Sequence, residues 1–93
     1  MAKSNDEQRV ACNPDVLAKA VGSETVLVNL RTNRIYELNR TAARLWTLLD
    51  ERSTPAEVEE ALAREFSVDR EALRLEIEAL IEELLDEQLL VRR

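Results

Sequence analysis

Residues 25–49 contain the pattern that most restricts the fold. Thr25-Val26-Leu27-Val28-Asn29-Leu30 has the β-branched and apolar character of a strand, and after a short polar turn Arg34-Ile35-Tyr36-Glu37-Leu38 reads as a second one. Asn39, a favourable helix cap, then opens a helix over about Arg40 to Leu49, with Ala42, Leu45, Trp46 and Leu49 at helical spacing. No further strand pattern follows Leu38 directly. The second strand is therefore expected at a sheet edge, with the backbone groups of its far side open to a guest strand.

The register of this hairpin can be argued from its side chains. A two-residue loop puts Val26, Val28 and Leu30 on one face with Ile35 and Glu37. A three-residue loop, Arg31-Thr32-Asn33, pairs Leu30 with Arg34, Val28 with Tyr36 and Val26 with Leu38, and gathers more apolar side chains on one face. Because a slip of one residue exchanges the two faces, the second register is the expected one. It requires Asn33 in the left-handed region, which asparagine tolerates.

Elsewhere the signals are local. Residues 1–12 are polar and expected to be flexible, leaving 13–93 as one domain. Val16-Leu17-Ala18-Lys19-Ala20-Val21 is a candidate first strand, broken by Gly22-Ser23. Thr54-Pro55-Ala56-Glu57 has the form of a capping box and starts a second helix, with Val58, Ala61, Leu62 and Phe66 on its apolar side. Asp69 caps a third helix reaching about Glu87, and Leu89-Leu90-Val91 is apolar enough to fold back on the core. The expected fold is α+β and winged-helix-like, a three-stranded antiparallel sheet followed by three helices.

Composition excludes several functions. There is no histidine, and Cys12 is the only cysteine, so no internal disulfide exists, as suits a reducing cytoplasm. Catalysis by Cys12 has no histidine base to activate it, and an inert thiol is the simpler reading. The adjacent acids Glu59-Glu60 and Glu82-Glu83 do not share a helix face and read as solvated surface. A single glycine, Gly22, rules out a glycine-rich phosphate loop, and no carboxylate-rich loop suggests a metal site. Neither a cofactor nor catalysis is expected. No apolar run approaches the ~20 residues of a membrane span, and the polar start Met1-Ala2-Lys3-Ser4 is unlike a secretory signal. Residues 1–50 hold seven Lys/Arg against six Asp/Glu, and residues 51–93 hold six against thirteen, so the net charge of −6 sits entirely in the C-terminal, helical half. That half repels phosphate. A winged-helix DNA-binding regulator needs a basic recognition helix, whereas residues 69–88 carry eight acids against Arg70 and Arg74. Nucleic acid and membrane are thus not expected partners.

On a helical wheel of the third helix, Leu73, Ile77, Leu80 and Leu84 form a narrow core arc. Ile81 and Leu85 widen it on one flank, beside Arg74 and Glu78, while Glu76, Glu83 and Glu87 border the other. The widened flank reads either as a broad core stripe or as the wall of a groove beside the edge strand. Tyr36 reads as core, with its hydroxyl near water, or as the groove floor. A subunit that merely dimerises through Leu75 or the C-terminal apolar run is a further reading.

Tyr36-x-Leu38-Asn39, followed by Thr41-Ala42, Leu45-Trp46-x-Leu48-Leu49-Asp50 and Thr54-x-x-Glu57-Val58, resembles the PqqD-like family, over roughly residues 13–91. The family supplies recognition elements for ribosomally made, modified peptides (RiPPs), and often has glycine where Asn33 stands. The resemblance implies that the leader of a precursor peptide adds as a strand to Arg34–Leu38 and seats apolar side chains in a cleft against the third helix. The implied binding set is Asn33, Arg34, Ile35, Tyr36, Glu37 and Leu38, with Arg74, Ile77, Glu78, Ile81 and Leu85. A free-standing domain of this length most resembles the leader-binding protein of lasso-peptide biosynthesis, which presents its cargo to a transglutaminase-like cysteine protease. The alternative is the peptide chaperone of the PQQ pathway, which serves a radical SAM enzyme.

Overall fold

In a computed structural model, residues 10–51 and 54–92 are described. The chain runs β1 (Val10–Cys12), β2 (Val16–Val21), β3 (Glu24–Asn29), β4 (Arg34–Leu38), α1 (Arg40–Asp50), α2 (Pro55–Glu65), α3 (Arg70–Asp86) and β5 (Leu90–Arg92). Strands β2, β3 and β4 form an antiparallel sheet in that order, with α1 packed on one face against β3 and β4, and α2 and α3 joining it in one core. This is the expected α+β, winged-helix-like arrangement with one addition: β1 and β5 pair antiparallel, Ala11 opposite Val91. The segment expected to be flexible thus ends in a strand. Val10 is buried, and Asn13 just beyond β1 donates its backbone amide to the Leu89 carbonyl. Residues 1–9 lie outside the described residues.

The helix starts follow their local chemistry. The Asn39 side chain accepts from the Ala42 amide, and Thr54 and Glu57 form the reciprocal capping box. Asp69 accepts from the Ala72 amide. Gly22, at φ +64, turns β2 into β3 with Val21 opposite Glu24, a conformation that costs glycine little. Arg44 forks onto Glu65 and ties α1 to α2, and this guanidinium holds the Glu65 carboxyl below the usual carboxylate range.

The β3–β4 register differs from the expected one. Leu27 faces Tyr36, Val28 faces Ile35 and Asn29 faces Arg34. Thr25, Leu27 and Asn29 therefore point inward with Tyr36 and Leu38, while Val26, Val28 and Ile35 point out, and Leu30 is exposed in the turn. Asn33 is left-handed as expected, at φ 61, but it closes a longer turn by donating its amide to the Asn29 carbonyl.

The cause of this register is Asn29, which is only 1% exposed. Its Oδ1 accepts from the Arg31 amide and holds the turn, while its Nδ2 donates to the Gln88 carbonyl at 3.1 Å. Asn13 donates to the same carbonyl at 2.8 Å. Gln88 is left-handed (φ 61) and ends α3: its amide bonds the Leu85 carbonyl, and the Leu89 amide bonds Leu84, the two bonds of a Schellman cap. Two buried amides thus fasten the hairpin and the N-terminal strand to the end of α3. Apolar counting favours the other register because it treats asparagine as a surface residue. Asn29→Ala, which strands these partners, is expected to destabilise the domain by roughly 2–4 kcal/mol, measured by urea unfolding.

The core gathers Leu27 and Leu38 from the sheet, Leu45, Trp46 and Leu49 from α1, Val58 and Leu62 from α2, and Leu73, Ile77, Ile81 and Leu84 from α3. Leu89 and Leu90 fold back into it as expected. Cys12 packs against this core, its Sγ 3.9 Å from the Trp46 carbonyl. Burial first, then the charge of Asp50, pushes its thiol up to about 12. At about pH 8 its alkylation is expected to be on the order of a thousandfold slower than that of a free cysteine, by iodoacetamide labelling and mass spectrometry. Among the described residues no helix is long and apolar enough to cross a membrane.

Candidate functional site

Strand β4 is one of the two edges of its sheet: β3 pairs with one side, and among the described residues no strand pairs with the other. Asn39 caps α1 immediately after it, so the free edge ends where that helix begins. The other wall is α3. The Tyr36 hydroxyl donates to the Glu83 carboxylate, and Arg34 lies 3.7 Å from Glu87. These contacts run in opposite chain directions, so β4 and α3 lie antiparallel across a shallow cleft.

At the Leu38 end the cleft deepens into a recess of about 340 Å³. Ala42 and Leu45 from α1 and Leu73, Ile77 and Leu80 from α3 make it apolar, while Asn39, Thr41, Glu76 and Glu83 form its rim. Leu80 is half-buried here, and Tyr36, also half-buried, lies on the same inner side of the sheet. An extended peptide beside β4 finds main-chain partners along the strand and an apolar seat next to it. Among the described residues no group of three or more His, Cys, Asp or Glu is placed to hold a metal ion.

The expected binding residues divide between two places. On the strand, Arg34 and Tyr36 point toward α3, Leu38 is buried in the core, and Ile35 and Glu37 face outward, Ile35 being 68% exposed. Asn33 shapes the turn. On the helix, only Ile77 reaches the recess beside β4. Arg74, Glu78, Ile81 and Leu85 line a different and larger recess, of about 630 Å³, against Pro55, Ala56 and Glu59 of α2. The widened apolar flank of α3 thus meets α2, not the strand. Ile81, 7% exposed, belongs to the core, and Leu80 takes the place in the cleft expected of it. The border that meets the strand is the acidic one, through Glu83 and Glu87, with Glu76 farther along it on the rim of the recess. The wheel displays both borders, but which of them turns to the sheet depends on how α3 is seated, through the Asn29–Gln88 fastening at its far end.

The sequence model of a family described as coenzyme PQQ synthesis protein D (PqqD) matches residues 24–90. Among curated proteins no relative matches. Two solved structures superpose closely. One, described as TbiB1 in complex with the TbiA(beta) leader peptide, is 29% identical with a TM-score of 0.82, covering 86% of this chain and 93% of that one. The other, a lasso peptide synthetase B1 complexed with the leader peptide, is 25% identical with a TM-score of 0.81, covering 89% of this chain and 98% of that one.

Proposed function

We infer that this chain, which belongs to the PqqD family, is a non-catalytic recognition domain that takes up the leader segment of a ribosomally made precursor peptide as an added strand on β4. The observation that carries this reading is the open edge of β4 beside the Leu80 recess, in a fold whose two structural neighbours are both leader-peptide complexes. Main-chain hydrogen bonds contribute about 0.5–1.5 kcal/mol each, and one large apolar anchor roughly 1.5–3 kcal/mol. Several of these, offset by the cost of ordering a flexible leader, correspond to affinities on the order of nanomolar to micromolar.

The finer reading is that the domain presents the bound leader to a separate leader protease, as in lasso-peptide biosynthesis. The neighbour described as a lasso peptide synthetase B1 supports that pathway. Further support comes from the outer face of the sheet, where Leu17, Val28 and Ile35 lie in one row across the three strands. Leu17 is 59% exposed, and the row continues toward the edge where the guest strand is added. The family description favours a second reading, a chaperone in PQQ synthesis that serves a radical enzyme.

The test uses peptides selected from a random display library on the intact protein. Titrating one of them is expected to shift the amide NMR signals of Arg34–Leu38 and of Leu80. Shifts confined to Arg74, Glu78 and Leu85 put the peptide in the α2–α3 recess and overturn strand addition. For the finer reading, Ile35→Glu is expected to leave peptide affinity intact and to slow removal of a bound leader by a transglutaminase-like leader protease added in trans. Unchanged cleavage removes the outer face from the proposal.

A further inference from the structure

The groove beside β4 restricts the chemistry of the chain that fills it. Arg34 reaches Glu87 and Tyr36 reaches Glu83, so two residues along the strand correspond to four along the helix. The spacings agree, roughly 6.6 Å for two strand residues and about 6 Å for one four-residue step of helix. A strand laid on the free edge of β4 keeps this interval. When one of its inward side chains sits over Leu80, its next inward side chain toward the start of α3 comes over Glu76. The one on the other side falls between Glu83, three residues on, and the buried Leu84.

The two carboxylates are not equivalent. Glu83 already accepts the Tyr36 hydroxyl. Glu76 lies on the rim of the same recess, is exposed, and has no hydrogen-bond or ion-pair partner among the described residues. An apolar seat with an unpaired carboxylate one strand-repeat away selects for a cation and against an anion at that position.

We propose that the segment bound here carries a lysine or arginine two residues from its apolar anchor, on the side that lies toward the start of α3, and that Glu76 pairs with it. The proposal rests on the strand-addition reading and adds the peptide's charge pattern to it. The apolar anchor and the main-chain bonds carry the affinity. The Glu76 pair, in contact with water, adds a modest increment and works mainly by rejecting acidic competitors.

A random-peptide display library is selected in parallel on the wild-type protein and on Glu76→Lys, whose native circular dichroism is checked first. The wild type is expected to enrich peptides with an apolar residue and a lysine or arginine two positions to one side of it. Glu76→Lys is expected to enrich aspartate or glutamate there. A wild-type peptide is expected to lose about three- to tenfold in affinity on Glu76→Lys and to regain it when its own lysine becomes glutamate. Enriched peptides without this charge preference, or with affinity indifferent to Glu76→Lys, overturn the proposal. Strand addition itself survives that result if those peptides still shift the Arg34–Leu38 amides. If no selected peptide shifts them, the underlying reading falls as well.

Discussion

Ile81→Asp is expected to unfold the domain. The wheel of α3 puts this side chain on the widened flank, where an aspartate looks like a harmless probe of a groove wall. In the fold it is 7% exposed and packed in the core with Leu73, Ile77 and Leu84. Deleting a buried aliphatic side chain costs about 2–5 kcal/mol. Burying an unpaired carboxylate adds several more, or drives the side chain out and opens the α3 packing. A domain of this size holds on the order of 5–10 kcal/mol, so the substitution removes most or all of its stability. Thermal circular dichroism is expected to show no cooperative transition, whereas Ile81→Val, costing roughly 0.5–1.5 kcal/mol, keeps one. A cooperative melt near that of the wild type for Ile81→Asp contradicts the packing described.

Leu80→Asp, one residue earlier, is expected to do the opposite. Leu80 is half-buried at the mouth of the recess beside β4, and an aspartate there can turn to water. The domain is expected to remain folded with a small loss of stability. The apolar seat for the guest strand is lost, and with it roughly 1.5–3 kcal/mol, a factor of about 10 to 150 in affinity. Fluorescence polarisation with a display-selected peptide measures this, with the melt of the same sample as control. Unchanged affinity removes Leu80 from the binding surface. The two variants together separate the two flanks of α3, since one fails in folding and the other in binding.

This pair also shows how far the chain could be read without coordinates. Strands β2 to β4, the caps at Asn39, Thr54 and Asp69, the left-handed Asn33 and the return of Leu89 and Leu90 to the core are local or nearly local effects, and each carries a signal within a few residues. The edge position of β4 was legible too, because it needed only the absence of a strand pattern after Leu38. The hairpin register was not. Val26, Val28 and Leu30 outnumber Leu27 as an apolar set, yet Leu27 and Asn29 are the buried ones. Asn29 earns no weight from hydrophobic counting, since its partners lie nearly sixty residues away at the end of α3.

By itself, then, the sequence determined the strands β2 to β4, the three helices with their starts, and that β4 lies at a sheet edge, because these follow from backbone preferences and side-chain spacing along the chain. The pairing of β1 with β5 joins the two ends of the chain and was not legible there. Only the tertiary structure decided which face of the hairpin turns inward and which flank of α3 meets β4. Both depend on the carbonyl of Gln88, where the buried Asn13 and Asn29 converge. A periodic pattern gives the angles between side chains around a helix, but not the direction in space from which a distant partner will approach it.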